Sequence, residues 1–188
     1  RTKRFILRLI KDLCLTSTKL PGLSLSLSQK IPELIRLSFQ ASTSRIASMK
    51  ALGLDLLTII VEHYSDVEDA ENPGHSILEQ QEAQIISALM PAFGSGSPPD
   101  IVISALKLSA DLVSSGISPL KRMGRVSQLL VEFLGVFDDK SSVIKVMDIL
   151  IVTQKTRRKM ELTTLSAWAQ LVQKGVSLKK EELKQFTE

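Results

Sequence analysis

The stretch RIASMKALGLDLLTIIVEHY, residues 45–64, decides the fold class of this chain. In an α-helix these residues would form a narrow polar stripe, and apolar side chains would cover most of the remaining circumference. The polar stripe consists of Arg45, Ser48, Asp55, Thr58 and Glu62. The apolar positions are Ile46, Met49, Leu52, Leu56, Leu57, Ile60 and Val61. A helix with so little polar surface is packed on several sides, which is typical of the inner helix of a stacked repeat.

Residues 1–29 are predicted to include one helix and one loop. The helix covers residues 5–13. Its core side carries Phe5, Leu9, Ile10 and Leu13. A polar stretch follows, in which Leu and Ser alternate from Leu23 to Ser28. We interpret this alternation as a loop, because a solitary strand would leave its backbone groups without hydrogen-bond partners.

Helices come in pairs from about residue 30 onward. The predicted helices lie near 28–41 and 45–64, 77–90 and 98–114, 120–137 and 141–153, and then around 160–172 and 181–186. The pairs begin near residues 30, 77 and 121, which gives steps of 47 and 44 residues. HEAT and armadillo arrays repeat every ~40–47 residues. Small Ser48 and Ala51 are expected to let neighbouring helices approach closely.

These patterns predict an all-α fold, a HEAT-like α-solenoid of stacked antiparallel helical hairpins. Residues 1–29 would form an N-terminal helix and loop, residues 30–174 about three hairpins plus one further helix, and residues 175–188 a short C-terminal helix or tail. A single helical bundle is the alternative, since it needs the same amphipathic helices without a fixed period. The longest apolar stretch, Leu52–Val61, is broken by Asp55 and Thr58, so no segment is expected to span a bilayer.

Composition and charge narrow the class of protein. Hydrophobic residues make up 44% and charged residues 23%, which excludes a disordered tail. Residues 1–50 carry a balance of +8 charges and residues 51–100 a balance of −9. These blocks could steer separate partners, or they could face each other across neighbouring repeats. Without a secretory signal or an initiator Met, the sequence is expected to be a segment of a longer intracellular protein.

No pattern in the sequence indicates catalysis or a cofactor. The two histidines, His63 and His75, are not at ligand spacing from another His or Cys, so a zinc site is not expected. Cys14, the one cysteine, has no motif around it and is interpreted as a buried small residue. The acidic stretch Asp66–Glu71 fails the spacing of a calcium loop, and Gly94–Gly96 lacks the flanks of a phosphate loop. We therefore expect no enzyme activity, no cofactor and no metal.

Two basic groups form the candidate interaction surface. They are Arg1, Lys3, Arg4, Arg8 and Lys11 near one end, and Arg157, Arg158 and Lys159 near the other. Such groups can bind nucleic acid when they are interleaved with exposed aromatic residues, or they can bind an anionic membrane. The only aromatic residue close to either group is Phe5, which fits the core side of its helix. An ordinary solvated surface is therefore the favoured interpretation.

The middle of the chain resembles a known family. The resemblance rests mainly on Asn72–Gln80, Ala83–Phe93 and Pro98–Asp100, with support from Ala51–Leu54 and Leu162–Ala169. These stretches are similar to the HEAT-repeat-containing protein 5 family, which includes the fungal large accessory protein of the clathrin adaptor. The resemblance covers about residues 30 to 172. Within it, Asn72–Phe93 is interpreted as a fold determinant rather than a binding epitope.

The resemblance implies a function that composition and spacing do not reach. It implies a long, non-enzymatic HEAT scaffold that acts with the type-1 clathrin adaptor in vesicle traffic. The implied partners are the clathrin adaptor complex and its accessory proteins, in the cytoplasm at the trans-Golgi network, endosomes and clathrin-coated vesicles. Membrane association would be peripheral and through those partners, and the full-length protein could self-associate. No nucleic acid is expected, although a helical-repeat nucleic-acid-binding module that uses the basic ends remains the alternative.

Overall fold

The computed structural model describes residues 2–69, 72–94, 97–117 and 153–185, and in addition residues 124, 126, 128, 145–146 and 150–151. α-Helices dominate this part of the chain. Their bounds are α1 Thr2–Ser17, α2 Pro21–Ser28, α3 Ile31–Ser42, α4 Ala47–Tyr64, α5 Glu82–Leu89, α6 Pro99–Ser115 and α7 Gln154–Gln185. Short 3-10 turns at Glu79–Gln81 and Met90–Ala92 flank α5. No helix in the described ranges is both long enough and apolar enough to cross a membrane.

Helix α4 lies inside a layer of helices. In this layer α1 packs on α4, α4 on α6, and α6 on α7. Helix α3 packs across α4, and α5 packs against α3, so these two helices begin a second layer. Because α4 is contacted on three sides, Leu54, Leu57 and Ile60 are fully buried. The prediction of an inner helix in an all-α solenoid is confirmed.

The closest approach between α3 and α4 occurs at Gly53. A Cβ atom on Gly53 would collide with the backbone N of Ser42 and would lie 2.6 Å from the carbonyl O of Ser38. Only a residue without a side chain allows the two helices to cross this closely. The residues from which a close approach was expected lie elsewhere, since Ser48 is exposed and Ala51 is only partly buried.

A buried hydrogen bond joins the C-terminal ends of α1 and α4. Tyr64 Oη lies 2.8 Å from Ser17 Oγ, and both residues are fully buried. Ser17 Oγ donates its single proton to the carbonyl O of Cys14 at 2.7 Å. The Tyr64 hydroxyl must therefore be the donor between the two side chains. This bond fixes the position of α1 along α4.

Removing the Tyr64 hydroxyl should weaken the chain measurably. Tyr64→Phe leaves the Ser17 oxygen buried without a donor, and we expect the free energy of unfolding to fall by about 1–2 kcal/mol. Urea unfolding followed by circular dichroism measures this loss. Ser114→Ala removes a hydroxyl that is exposed and bonded only within its own helix, so its effect should stay below about 0.5 kcal/mol. Equal stability of Tyr64→Phe and the unmodified chain would contradict the assigned bond.

The predicted core side of the first helix is wrong for three of its four residues, and the fourth, Ile10, is partly buried against the core. Phe5 is 62% exposed, Leu9 52% and Leu13 46%, whereas Leu7 and Cys14 are buried against the rest of the fold. The cause is that α1 has apolar residues on two opposite sides, and periodicity alone does not tell which side meets α4. The helix is also longer than predicted, since it runs from Thr2 to Ser17.

The Leu/Ser stretch is a helix and not the predicted loop. Helix α2 begins at Pro21, whose fixed φ suits the first helical position, and Leu27 is buried. Ser26 Oγ donates to the carbonyl O of Gly22 at 3.3 Å. A solitary strand would leave its backbone groups without partners, whereas even a helix of eight residues pairs about half of them within itself.

The C-terminal third differs from the prediction in two ways. Within the predicted helix 141–153, Lys145–Val146 and Leu150–Ile151 pair as antiparallel strands, and Lys145 lies opposite Ile151. This stretch is rich in Val and Ile, which favour strands over helices. The two predicted final helices are one continuous helix, α7, so residues 175–185 do not form a separate element. The predicted helix 120–137 lies outside the described residues, apart from positions 124, 126 and 128, which are helical.

Candidate interaction surface

The N-terminal basic residues follow one side of α1. Arg4, Arg8 and Lys11 are spaced by four and three residues, so they share a helix face, and Lys3 lies nearby. Lys3, Arg4 and Arg8 are exposed. Arg1 lies outside the described residues. Exposed cations of this kind attract anionic partners over about one Debye length, roughly 8 Å at physiological salt.

Lys11 has an intramolecular partner and contributes less to a free basic surface. Its Nζ donates to Asp55 Oδ2 on α4 at 3.0 Å. The other oxygen of the same carboxylate, Oδ1, accepts a hydrogen bond from Ser104 Oγ on α6 at 3.4 Å. Asp55 thus connects three successive helices of the layer. The sequence analysis placed Asp55 on the polar stripe of α4 but gave no sign of these two contacts.

The second basic group begins α7. Arg158 and Lys159 are exposed, while Arg157 is partly buried and its backbone N–H donates to the carbonyl O of Thr153 at 2.9 Å. Since α4 and α6 lie between α1 and α7 in the layer, the structure does not bring the two basic groups together. The described residues therefore form no continuous basic track of the kind that follows a nucleic-acid backbone.

An apolar groove with a basic edge lies beside the first group. It has a volume of about 730 Å³ and is formed by the start of α1, the end of α3 and the start of α4. Lys3 and Arg4 form its edge, and Ile6, Ile46 and Met49 contribute to its lining. The sequence does not reveal this groove, because its walls come from three separate helices. In the structure, the groove is marked most clearly by Ile46, an apolar residue just before α4 whose side chain is 61% exposed.

The acidic loop after α4 is bonded to itself. Asp69 is buried, and its Oδ2 accepts hydrogen bonds from Gln80 Nε2 at 2.7 Å and from Asn72 Nδ2 at 3.3 Å. Glu68 Oε1 accepts from the backbone N–H of Gly74 at 2.6 Å, and Gly74 has a φ of 88°, which favours glycine. Glu68 and Asp69 of the predicted solvated loop thus have hydrogen-bond partners, while Ala70 and Glu71 lie outside the described residues.

The next residues form a reciprocal cap at the start of the 3-10 turn Glu79–Gln81, which leads into α5. The backbone N–H of Ser76 donates to Glu79 Oε1 at 3.1 Å, and Ser76 Oγ accepts from the backbone N–H of Leu78 at 3.2 Å. Glu79 Oε2 also lies 2.8 Å from His75 Nδ1. Such an arrangement satisfies backbone donors that a helix start leaves free. It supports the interpretation of this block as a fold determinant.

The described residues offer no reactive centre. Cys14 is fully buried, and burial raises the pKa of its thiol above the ordinary value, which disfavours the nucleophilic thiolate. Among the residues that the structure describes, no three His, Cys, Asp or Glu side chains stand close enough together to hold a metal ion.

The carboxyl group of Asp111, on helix α6, is partly buried without full hydrogen bonding. Its Oδ2 has no hydrogen-bond partner among the residues that the structure describes. Burial is the main cause that raises the pKa of this carboxyl; Lys107 acts against the rise, and Glu62 on α4 adds to it. The pKa of Asp111 is therefore higher in the folded chain than in the unfolded chain. Its contribution to the free energy of unfolding is fully present below the unfolded-state pKa, and it is lost as the pH rises through the folded-state pKa.

Asp111→Asn should therefore stabilise the chain at neutral pH. We expect a gain in the free energy of unfolding of less than about 1 kcal/mol at pH 7, because the carboxyl is only partly buried. The gain should disappear near pH 3, where the carboxyl is protonated in both states. Urea unfolding at the two pH values measures it. Lys107→Gln should act in the opposite direction at pH 7, and a gain for Asp111→Asn that is equal at both pH values would contradict the explanation.

Comparison with known proteins identifies the family. The model of the Laa1/Sip1/HEATR5 HEAT repeat region matches residues 26–188. The chain belongs to this family. The Laa1/Sip1/HEATR5 match confirms the resemblance found in the sequence and extends it beyond residue 172 to residue 188.

Two relatives give the scale of the full proteins. The chain is 46% identical over 187 residues to the AP-1 accessory protein LAA1 of Saccharomyces cerevisiae, which is 100% of this chain and 9% of LAA1. It is 36% identical over 112 residues to Protein SWEETIE of Arabidopsis thaliana, which is 58% of this chain and 5% of that protein. The chain thus spans less than a tenth of the length of either relative. No solved structure matches the chain.

The match also separates the two basic groups. Arg157, Arg158 and Lys159 lie inside the Laa1/Sip1/HEATR5 region, whereas Lys3, Arg4 and Arg8 precede it. The alignment with LAA1 nevertheless covers the whole chain, including α1. Both basic groups therefore stay candidate contact residues, and α1 belongs to the same stack of helices.

Proposed function

We propose that this chain is a segment of a non-enzymatic HEAT scaffold that acts as an accessory to the AP-1 clathrin adaptor. The observation that carries the proposal is the 46% identity to AP-1 accessory protein LAA1 over the whole chain. Its sites of action would be the trans-Golgi network, endosomes and clathrin-coated vesicles. Attachment to these membranes would be peripheral and through partners, the adaptor complex and its accessory proteins.

The shape of the described fold supports a scaffold role. Successive helices α1, α4, α6 and α7 pack side by side, which builds an extended surface from a quasi-one-dimensional stack. Such surfaces bind peptides or helices of partner proteins without a deep pocket. The exposed cations of α1 and of the start of α7 lie at two separate places on this surface. They would act by attracting acidic partner segments and setting the rate of association.

Affinity purification of the full-length protein tests the proposal. Adaptor subunits, identified by mass spectrometry, should accompany the intact protein and be lost or reduced when residues 30–172 are deleted. If the adaptor is retained after deletion, the segment serves as a spacer. If the intact protein brings down no adaptor subunit, the proposed function is wrong.

Charge reversals in the full-length protein locate the contact more sharply than the deletion, because they leave the core intact. Arg4→Glu with Arg8→Glu reverses the α1 group, and Arg158→Glu with Lys159→Glu reverses the α7 group. Arg36→Glu with Arg45→Glu is a matched control, since both residues are exposed and lie outside these groups. Loss of adaptor in one of the first two variants, and not in the control, assigns that group to the partner contact. An equal loss in all three indicates a general charge effect.

A further inference from the structure

The outer face of α7 carries a regular apolar seam. Leu162 is 67% exposed, Leu165 49%, Val172 55% and Val176 63%, and Ala169 is also exposed. Their positions advance by three, four, three and four residues, which is the spacing of the a and d positions of a heptad. The seam spans about 21 Å along the helix axis. It contains no charged side chain.

The seam lies opposite the face of α7 that is already covered. Met160, Thr164 and Ala167 are fully buried, in the part of α7 that packs against α6. At 100° per residue these three positions lie on the far side of the helix from Leu162, Leu165 and Ala169. Helix α7 thus has two apolar faces, of which one is covered by the described part of the fold.

The other helices of the layer show what two such faces are used for. Helix α4 is covered by α1 on one side and by α6 on the other, and α6 is covered by α4 and α7. In each case both apolar faces are buried by the preceding and the following layer helix. The seam of α7 is likewise apolar and lies on the side of α7 opposite its buried residues, so it is placed to continue the same row of helices.

We infer that the seam is the contact surface for the next layer helix of the full-length protein. The chain spans only 9% of LAA1, so a protein of that size supplies ample further repeats. The spacing of three and four residues favours a helix that lies nearly along α7, at a crossing angle of about 20°. Ala169 in the middle of the seam lets the backbone of that helix approach closely. The occupant is therefore an amphipathic helix with a matching apolar stripe.

A second copy of the chain fits the seam less well. Coiled-coil association between separate chains generally needs three to four heptads, and this seam has about two. A helix joined to α7 by a short connection has a high effective concentration and needs far less contact area.

Cysteine labelling of the full-length protein tests the inference. Val172→Cys places a thiol in the seam, and Lys159→Cys places one at an exposed site off the seam on the same helix. The labelling rate with a maleimide, read by peptide mass spectrometry, should be at least about tenfold slower for Val172→Cys. This protection should not depend on protein concentration. Equal rates for the two variants would show that the seam is open to solvent and would overturn the inference.

Two further outcomes would also overturn it. Protection that grows as the protein concentration rises would assign the seam to a second copy. Protection that appears only when purified adaptor is added would assign it to that partner. The test does not depend on adaptor binding, so its failure is distinguishable from a failure of the proposed function.

A charge variant provides a second readout in the same protein. Val172→Asp should open the full-length protein to limited proteolysis around α7, because it buries a charge at the repeat interface. The same substitution in the 188-residue chain should leave its stability nearly unchanged, since Val172 is 55% exposed there. Equal protease resistance of the full-length variant and the unmodified full-length protein would contradict a buried seam.

Discussion

Gly53→Ala should lower the free energy of unfolding of this chain by about 1–2 kcal/mol. The added methyl group would collide with the backbone of α3, at the N atom of Ser42 and at the carbonyl O of Ser38, 2.6 Å away. Backbone atoms cannot rotate away as a flexible side chain can, so the two helices must separate along their crossing. Overpacking of this kind costs about 1–3 kcal/mol or more, which outweighs the roughly 1 kcal/mol that Ala gains over Gly in a helix.

Gly22→Ala is the matched control for this result. Gly22 lies in α2, and a Cβ atom there meets no atom within 4 Å. Only the intrinsic helix preference remains, so this variant should be as stable as the unmodified chain or up to about 1 kcal/mol more stable. Urea unfolding followed by circular dichroism measures both. Equal changes in the two variants would mean that α3 and α4 do not cross at Gly53.

Leu57→Ala should cost about 2–5 kcal/mol, the largest effect expected from a single core truncation here. Leu57 is fully buried on α4, which is held between α1, α3 and α6. A cavity in this position cannot close by the movement of one neighbour, because three helices would have to shift together. The loss should appear in the urea midpoint measured by circular dichroism.

Leu162→Ala provides the comparison for Leu57→Ala, because it makes the same chemical change where the side chain is 67% exposed. In the 188-residue chain its effect should stay below about 0.5 kcal/mol. A loss for Leu57→Ala as small as that for Leu162→Ala would show that α4 is not enclosed on several sides.

A helix and its buried side could be predicted from the sequence where the apolar pattern allows only one way of packing. Residues 45–64 are apolar around most of the helix, and burial on several sides is the only arrangement that covers them. The first helix has two apolar sides, so its existence was predictable, but the choice between Leu7 and Phe5 as the buried side depended on where α4 lies. The residues of α2 are too few for a helical period to become visible.

The candidate surface was predictable only in part. Clusters of Lys and Arg can be counted in a sequence, but their separation across the layer follows from the packing order of four helices. Lys11 belongs to the cluster by sequence and to a contact with Asp55 by structure, 44 residues apart. In the described part of the acidic loop, Asp69 accepts hydrogen bonds from the side chains of Gln80 and Asn72, and Glu68 accepts one from the backbone of Gly74. Residue composition does not reveal these contacts.

Asp55 carries a consequence for the elasticity of the whole stack. A long row of packed helices bends elastically, through small changes in the distance between successive helices. Asp55 joins three successive members through Lys11 and Ser104, so stretching this side of the row must lengthen one of these contacts. Both contacts are partly exposed, and salt weakens such contacts readily. The side of the row that contains Asp55 should therefore become less stiff as ionic strength rises, while the apolar contacts between the helices stay unchanged.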